Sequence, residues 1–273
     1  MQVAGIVGWP VAHSRSPLIF RHWFEAYGID GAYVTLPVRP GELERALRGL
    51  AALGMRGCNV TVPHKEGACA IVDRRSARAE RIGAVNLVTV AEDGTLEGDN
   101  TDATGFMGSL RHADPSFRAN RGPAVVVGAG GAARAVVWAL LDAGAPAVRL
   151  VNRTRARAQA LAGPGVEVVA WADRAAAVDG AALLVNTTTA GLAGHDPLDL
   201  DLAALPPDAL VADIIYVPRE TPLLRAARAR GNRVAPGLPM LLHQAVPAFE
   251  AWFGVRPAVT DDLISQITAD LPS

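Results

Sequence analysis

The residue best suited to chemistry in this chain is Lys65, the only lysine among 26 basic side chains. It ends the run 59–65, which reads NVTVPHK. A lysine ammonium is compact and can give up its proton, whereas an arginine guanidinium stays protonated in proteins. A site that must transfer a proton therefore favours lysine. A lysine left by compositional drift at the start of a helix would look the same, so the neighbouring residues have to decide between the two.

Other polar side chains cluster in the first third of the chain. Ser14 and Ser16 lie just before a helical pattern, and Ser16 is either the N-cap of that helix or a ligand-binding hydroxyl. Asn59 and Thr61 lie at the end of one apolar run, and Asn86 lies within another.

A carboxylate closes this region. Asp102 ends the run GDNTD at 98–102 and precedes a further helical pattern. Its structural role would be that of an N-cap.

A glycine-rich turn follows the apolar run 124–127 and precedes a helical pattern. It matches the G-x-G-x-x-A form of the dinucleotide fingerprint, in which small residues permit the tight turn and the close approach of a pyrophosphate to a helix N-terminus. A plain glycine turn is the simpler interpretation, but a second strand pattern at Val148–Val151 favours a nucleotide site. The residues expected to form it are Gly128, Ala129, Gly130, Gly131, Ala132 and Ala133.

The residues after that second strand predict the type of cofactor. A site selective for NAD places an Asp or Glu there to accept from the ribose 2′-hydroxyl. This chain has Asn152, Arg153, Thr154 and Arg155 instead. Because a planar guanidinium suits a 2′-phosphate, we predict NADP(H). Two solvated arginines at a helix start are the alternative.

Bulk composition excludes several classes of protein. The 26 basic and 27 acidic residues give a formal net charge of -1, which does not favour nucleic acid or a membrane surface as a partner. Cys58 and Cys69 form neither a disulfide framework nor a zinc pattern, and the six histidines show no metal-ligand spacing. No signal peptide or membrane span is expected, so we predict a soluble cytoplasmic protein with no metal.

Short apolar runs alternate with amphipathic stretches along the 273 residues, which predicts an α/β fold of two domains with mostly parallel sheets. Predicted strands are Gln2–Gly8, Ala32–Pro37, Gly57–Thr61, Val85–Val90, Ala124–Gly128, Val148–Val151, Val166–Val169, Ala182–Asn186 and Leu210–Ile214. Predicted helices are Leu18–Tyr27, Glu42–Leu53, Ala132–Ala143, Thr154–Leu161, Pro222–Arg230, Pro239–Phe253 and Asp261–Leu271, the last with Thr260 as its N-cap. The segment His112–Pro123 is polar and predicted to be a loop.

Taken together, these segments resemble the shikimate dehydrogenase family over nearly the whole chain. The resemblance rests on the serine-containing start at 8–17, on NVTVPHK, on GDNTD and on GAGGAARA at 128–135. It continues through NRT at 152–154, NTT at 186–188, DIIY at 213–216 and GLPMLLHQA at 237–245. It implies reversible NADPH-dependent reduction of 3-dehydroshikimate to shikimate, a step toward chorismate and the aromatic amino acids.

The resemblance also implies a domain plan and residue roles. A discontinuous α/β substrate domain would comprise 1–102 and 239–273, and a Rossmann-type NADP domain would comprise 103–238, with a cleft that closes between them. Lys65 and Asp102 would be the catalytic pair, and Ser14 and Ser16 would bind the substrate carboxylate. Ring hydroxyls would be bound by Thr61, Asn86, Asp102 and Gln244, with Asn59 and Tyr216 lining the pocket. Further cofactor contacts would come from Thr187, Ile214, Gly237 and Met240, the last two near the nicotinamide.

One position departs from the family pattern. Leu87 stands where the family usually has a threonine, next to Asn86. Because neighbouring strand residues face opposite sides, Asn86 can still face a ligand. Local hydrogen bonding and substrate preference are what this change affects.

Other functions were weighed against this one. The nearest is a quinate/shikimate dehydrogenase of broader specificity that uses NAD, which the NRT segment disfavours. A folate-directed NADP enzyme fits the two serines less well, and a non-catalytic NADP-binding sensor would not need Lys65 with Asp102. We expect a monomer or a weak homodimer with a small-molecule substrate.

Overall fold

The structure is a computed structural model that describes residues 1–271. The described chain divides into two compact units. The first consists of Met1–Asp102 and Leu242–Ala269, and the second of Ala103–Leu241 with Asp270 and Leu271. That one unit binds substrate and the other cofactor stays a prediction at this point.

The first unit is built on a mixed sheet. Its strands are β1 (Gln2–Gly8), β2 (Gly31–Pro37), β3 (Gly57–Val60), β4 (Arg74–Arg75), β5 (Leu87–Val90) and β6 (Leu96–Asp99). The helices between them are α1 (Ser16–Tyr27), α2 (Leu43–Ala52), α3 (Lys65–Ile71) and α4 (Ala77–Ile82). Among the described residues the strand order is β2-β1-β3-β5-β6-β4.

Strand direction in this sheet differs from the prediction of mostly parallel strands. β1 pairs in parallel with β2 and β3, but β5 is antiparallel to both β3 and β6. Only the short segment 91–95 joins β5 to β6, and Gly94 turns it with a φ of 83°. A connection of that length closes an antiparallel pair, whereas a parallel pair needs a long crossover.

The second unit is built on a parallel sheet. Its strands are β7 (Ala124–Val127), β8 (Val148–Val151), β9 (Val166–Val169), β10 (Leu183–Asn186), β11 (Leu210–Asp213) and β12 (Arg233–Ala235). The remaining helices are α5 (Asp102–Ala113), α6 (Gly131–Asp142), α7 (Arg155–Gln159), α8 (Arg174–Ala177), α9 (Pro222–Ala229), α10 (Gly237–Phe253) and α11 (Asp261–Asp270).

The order of this second sheet fixes where a ligand can bind. It runs β12-β11-β10-β7-β8-β9 among the described residues, and each pairing between its neighbours is parallel. The chain proceeds outward from β7 to β8 and β9, and then returns to β10 on the other side of β7. This is the doubly wound order, in which a dinucleotide lies across the carboxyl ends of the strands where the order reverses. The α/β class predicted from the sequence is confirmed.

Aromatic side chains form part of the core of the first unit. Phe20 of α1 stacks on Tyr33 of β2 with ring centroids 3.9 Å apart, and Phe249 and Trp252 of α10 pack around them. The indole of Trp252 also donates to the carbonyl of Val88 at 3.2 Å. Buried aromatic pairs of this kind stabilise the fold by more than the burial of their surface area alone provides.

Two further predictions concern a loop and a helix cap. The loop predicted over His112–Pro123 is wrong in part, because α5 continues to Ala113 and a 3₁₀ turn covers Ala119–Arg121. These stretches look like loop in sequence because helix ends at the surface are polar. Thr260 does cap α11, since its hydroxyl accepts from the amide of Leu263 at 3.2 Å. No helix within residues 1–271 is long and apolar enough to cross a membrane.

Candidate active site

The ammonium of Lys65 and the carboxylate of Asp102 form an ion pair in the first unit. Nζ of Lys65 lies 2.6 Å from Oδ2 of Asp102, and the two side chains are 16% and 6% exposed. A charge-assisted hydrogen bond largely withdrawn from water is stronger than an exposed one. Lys65 begins α3, and its carbonyl accepts from the amide of Val85 at 2.9 Å. The start of α3 is thereby tied to the segment that carries Asn86.

A buried turn orients Asp102. The Nδ2 of Asn86 donates to Oδ1 of Asp102 at 2.8 Å, and Oδ1 of Asn86 accepts from the amide of Thr101 at 2.7 Å. Asn100 accepts from the amide of Asp102 at 3.1 Å and donates to the carbonyl of Ala84 at 2.9 Å. Asp102 is therefore the first residue of α5 and not its N-cap, and both of its carboxylate oxygens are engaged by side chains.

A second carboxylate, that of Asp99, is bonded to the same turn. Asp99 accepts from the hydroxyl of Ser76 at 2.5 Å, from the guanidinium of Arg78 and from the amide of Asn100 at 2.7 Å. Burial opposes ionisation of Asp99, but hydrogen bonds from Arg78 and Ser76 outweigh it and lower the pKa of this carboxyl. The roles of Asp99, Asn100 and Thr101 were missed in the sequence. The available signal was an unbroken run of polar residues between two apolar segments.

The side chain of Asn59 is hydrogen-bonded to both Tyr33 and the backbone of Asn86. The phenol of Tyr33 donates to Oδ1 of Asn59 at 2.7 Å, and Nδ2 of Asn59 donates to the carbonyl of Asn86 at 3.0 Å. Burial raises the pKa of Tyr33 well above its ordinary value, so the phenol stays a donor. Tyr33 is a further residue that the sequence did not single out.

Asn86 lies outside the strand predicted for it. The prediction was Val85–Val90, whereas β5 begins at Leu87. Leu87 is buried and pairs with Asn59 on one side and Asp99 on the other. The residue that departs from the family pattern thus lies in the ladder between two polar residues of the site.

The two serines lie at the start of α1. Ser16 is the first residue of that helix, Arg15 occupies the N-cap position, and no side chain caps the helix there. The N-cap interpretation of Ser16 is therefore wrong. The hydroxyl of Ser14 accepts from the amide of Ser16 at 3.3 Å, which ties the two serines together.

Thr61 follows β3 in a tightly packed segment. Its amide donates to the carbonyl of Val7 at 2.8 Å, and its carbonyl accepts from the amide of His64 at 2.9 Å. A Cβ at Gly8 would lie 2.5 Å from Cγ2 of Thr61, so only a glycine lets the backbone at position 8 approach the side chain of Thr61 this closely. Gln244 is half-buried on the part of α10 that belongs to the first unit.

The glycine turn of the second unit joins β7 to α6. Gly128 has a φ of 115°, and a Cβ there would lie 2.4 Å from Oγ1 of Thr187. A Cβ at Gly130 would meet nothing within 4 Å, which leaves open space beside the start of α6. Ala133 is fully buried. Open space next to the free amides of a helix N-terminus fits a pyrophosphate.

The end of β8 presents positive charge. Arg153 and Arg155 are exposed, and neither has an ion-pair partner within residues 1–271. Asn152 shapes the turn by donating from Nδ2 to the carbonyl of Thr154 at 2.8 Å. Two available guanidinium groups, with no carboxylate among residues 152–155, are able to bind a phosphate.

The remaining predicted cofactor residues follow β10, β11 and β12. Thr187 donates from its hydroxyl to the carbonyl of Val127 at 2.7 Å. A Cβ at Gly237 would lie 2.3 Å from the carbonyl oxygen of Ile214, so the start of α10 packs against the loop that also carries Tyr216. Met240 lies in the first turn of α10. In the described part of the chain, no group of three or more His, Cys, Asp or Glu is arranged to hold a metal.

Three family models match the chain. They are described as the shikimate dehydrogenase substrate binding domain over residues 6–88, shikimate / quinate 5-dehydrogenase over 112–191, and the shikimate 5′-dehydrogenase C-terminal domain over 237–261.

Individual relatives cover almost the full length. Shikimate dehydrogenase (NADP(+)) of Paramagnetospirillum magneticum is 58% identical over 96% of each chain. Shikimate 5-dehydrogenase of Thermus thermophilus, solved with NADP(H) and shikimate, is 38% identical with a TM-score of 0.88 over 99% of each chain. Quinate dehydrogenase of Corynebacterium glutamicum, solved with NAD, is 30% identical with a TM-score of 0.89 over 98% of this chain and 97% of that one.

Proposed function

The chain belongs to the shikimate dehydrogenase family, and we propose that it reduces 3-dehydroshikimate reversibly to shikimate with NADPH. The enzyme is an NADP-dependent oxidoreductase, as its relative at 58% identity is. The observation that carries the assignment of the reaction to this site is the Lys65–Asp102 pair, held by Asn86.

Lys65 is the group suited to move the proton. Reduction of a ketone leaves negative charge on the carbonyl oxygen, and a neighbouring ammonium both stabilises that charge and protonates the oxygen. NADPH, when bound, supplies the hydride. In the reverse direction Lys65 accepts the hydroxyl proton. Asp102 keeps the ammonium oriented through the 2.6 Å hydrogen bond.

Substrate recognition is proposed for polar residues of the first unit. Ser14 and Ser16 would donate hydrogen bonds from their hydroxyls to the substrate carboxylate, and Ser16 does not occupy the N-cap position of α1. Thr61, Asn86, Asp102 and Gln244 would bind the ring hydroxyls, with Asn59 beside them. Tyr216, which belongs to the second unit, stays a predicted pocket residue. Because Nδ2 of Asn86 already donates to Asp102 and to Oγ1 of Thr101, we assign Asn86 a positioning role as well.

Cofactor binding is proposed for the second unit. The turn Gly128–Ala133 would hold the pyrophosphate, and the segment Asn152–Arg155 would bind the 2′-phosphate. Thr187, Ile214, Gly237 and Met240 would face the nicotinamide half. The open space at Gly130 supports this division, as do the guanidinium groups of Arg153 and Arg155, which have no ion-pair partner within residues 1–271.

Steady-state assays test the proposal directly. NADP+ reduction is measured with shikimate and with quinate in parallel, and each is repeated with NAD+. We expect turnover with shikimate and NADP+ to be strongly preferred. A preference for quinate with NAD+ would favour the activity of the Corynebacterium glutamicum relative, and a protein that binds NADP+ without turnover would be a sensor. A monomer or weak homodimer and a cytoplasmic location stay predictions.

A further inference from the structure

A buried carboxylate in the second unit joins the ends of two neighbouring strands. Asp213 is the last residue of β11 and is 1% exposed. Both of its oxygens lie 3.1 Å from Nδ2 of Asn186, the last residue of β10. Asp213 also accepts from the hydroxyl of Thr221 at 2.8 Å and from the amide of Ile215 at 3.1 Å.

Asn186 extends this network into the loop after β10. Its Oδ1 accepts from the amide of Thr188 at 3.0 Å and from the hydroxyl of Thr188 at 2.7 Å. Its Nδ2 lies 3.1 Å from the carbonyl of Ala190. Thr187, between them, is bonded to the carbonyl of Val127 at the end of β7. The loop 187–190 is thus fixed to the end of β7 through Thr187 and to Asp213 through Asn186.

Thr221 extends the network to the loop after β11. Its hydroxyl donates to Asp213 and accepts from the amide of Leu224, so it also caps α9. Since Asp213 and Thr221 hold the two ends of the segment 214–220, their bond limits how far Ile214 and Tyr216 can move.

The strand order identifies which part of a dinucleotide these loops face. β8, which precedes Arg153, lies on one side of β7, whereas β10 and β11 lie on the other. A dinucleotide spans the carboxyl ends of such a sheet with its pyrophosphate at the first glycine turn. With the 2′-phosphate of the adenosine at Arg153, the nicotinamide half extends over β10 and β11.

We propose that Asp213 is a positioning residue whose bonds to Asn186 and Thr221 shape the loops that seat the nicotinamide half of NADP(H). This inference rests on the proposed function. Burial raises the pKa of Asp213 to about 6, so its ionised form at neutral pH is held at a cost in folding free energy. A buried carboxylate that is kept at such a cost favours a role in arranging the loops over a role in stability.

The test compares two ligands that share the adenosine half. NADP+ and adenosine 2′,5′-bisphosphate are titrated by calorimetry into the parent protein and into Asp213→Asn. The substitution keeps the shape of the side chain but replaces one carboxylate oxygen, which accepts hydrogen bonds, by an amide NH₂ group, which donates them. That group would face the donors of Asn186, Ile215 and Thr221. We expect the Kd of NADP+ to rise about tenfold or more and the Kd of the bisphosphate to stay unchanged, because hydrogen bonds to a charged group are lost only on the nicotinamide side.

Matched variants separate positioning from general destabilisation. Asp114→Asn makes the same change at a buried carboxylate of the same unit that bonds to Ser116 and Arg233. It should leave both affinities unchanged. Thr221→Val should reproduce the selective loss, and Thr221→Ser, which keeps the hydroxyl, should restore NADP+ affinity.

The outcomes are distinct. Selective loss of NADP+ affinity in Asp213→Asn and Thr221→Val supports the inference. Unchanged NADP+ affinity in both variants, or equal weakening of both ligands, overturns it. A parent protein that binds no NADP+ would refute the proposed function, and the inference with it.

Discussion

Replacing Asp213 by asparagine should change how the stability of the protein depends on pH. Burial raises the pKa of Asp213 from 3.8 to about 6 in the folded chain. A carboxyl whose pKa is higher when folded binds its proton more tightly in the native state. Its stabilisation is complete below pH 3.8 and is lost as the pH rises through about 6. At roughly 1.4 kcal/mol per pKa unit, ionised Asp213 costs about 3 kcal/mol at neutral pH, of which about 1.3 kcal/mol develops between pH ~5 and ~7.

Urea denaturation at pH ~5 and ~7 measures this cost. For each protein the free energy of unfolding at the lower pH is subtracted from the value at the higher pH. The difference should be more positive for Asp213→Asn than for the parent by about 1.3 kcal/mol, since the variant has no carboxyl to ionise. The lost hydrogen bonds lower stability at both pH values and cancel in the subtraction. Asp142→Asn, at an exposed carboxylate of the same unit, is the control. Identical pH differences for the parent and Asp213→Asn would refute the reasoning.

Three other substitutions test the proposed site. Lys65→Arg keeps the charge opposite Asp102 but removes a transferable proton, so kcat should fall by about 10²–10⁴-fold while calorimetry still detects shikimate binding; near-parental kcat would remove Lys65 from proton transfer. Arg153→Ala should raise the KM for NADPH about tenfold or more and leave the KM for NADH unchanged, because only NADPH carries the 2′-phosphate; equal effects on both cofactors would argue against this contact. Gly128→Ala places a Cβ 2.4 Å from Oγ1 of Thr187 at a φ of 115°, so NADP+ binding should be lost in calorimetry while shikimate binding persists; parental NADP+ affinity would contradict it.

Much of the architecture was accessible from local sequence. The helices and strands of the second unit follow apolar runs that a glycine turn or a polar segment separates. Their parallel order follows from the alternation of strand and helix. The first unit was less accessible, because its antiparallel β5 depends on which strands pair across the sheet. The short helices α3 and α4 begin next to polar runs that look like loop when read in isolation.

The sequence predicts the types of residue in the site but not the hydrogen bonds that join them. Lys65 was identified by composition, but only the family resemblance paired it with Asp102, which lies 37 residues away in sequence. Asn186 and Asp213 are 27 residues apart and meet only because β10 and β11 are neighbours. Side-chain hydrogen bonds across such separations depend on the folded backbone, so no spacing rule on a single segment predicts them. Tyr33 was missed for the same reason. Its phenol joins the hydrogen bonds of the site only because β2 brings it next to Asn59.

The two carboxylate oxygens of Asp102 have different partners. One carboxylate oxygen accepts from Lys65 and the other from Asn86. The backbone carbonyl of Lys65 accepts from the amide of Val85, and the side chain of Asn86 accepts from the amide of Thr101. A carboxylate engaged on both oxygens by donors is well placed to orient its partners. The ammonium of Lys65 has further N–H groups beyond the one that Asp102 uses. In the proposed function, Lys65 supplies the proton that reaches the substrate oxygen, and Asp102 fixes where that proton points.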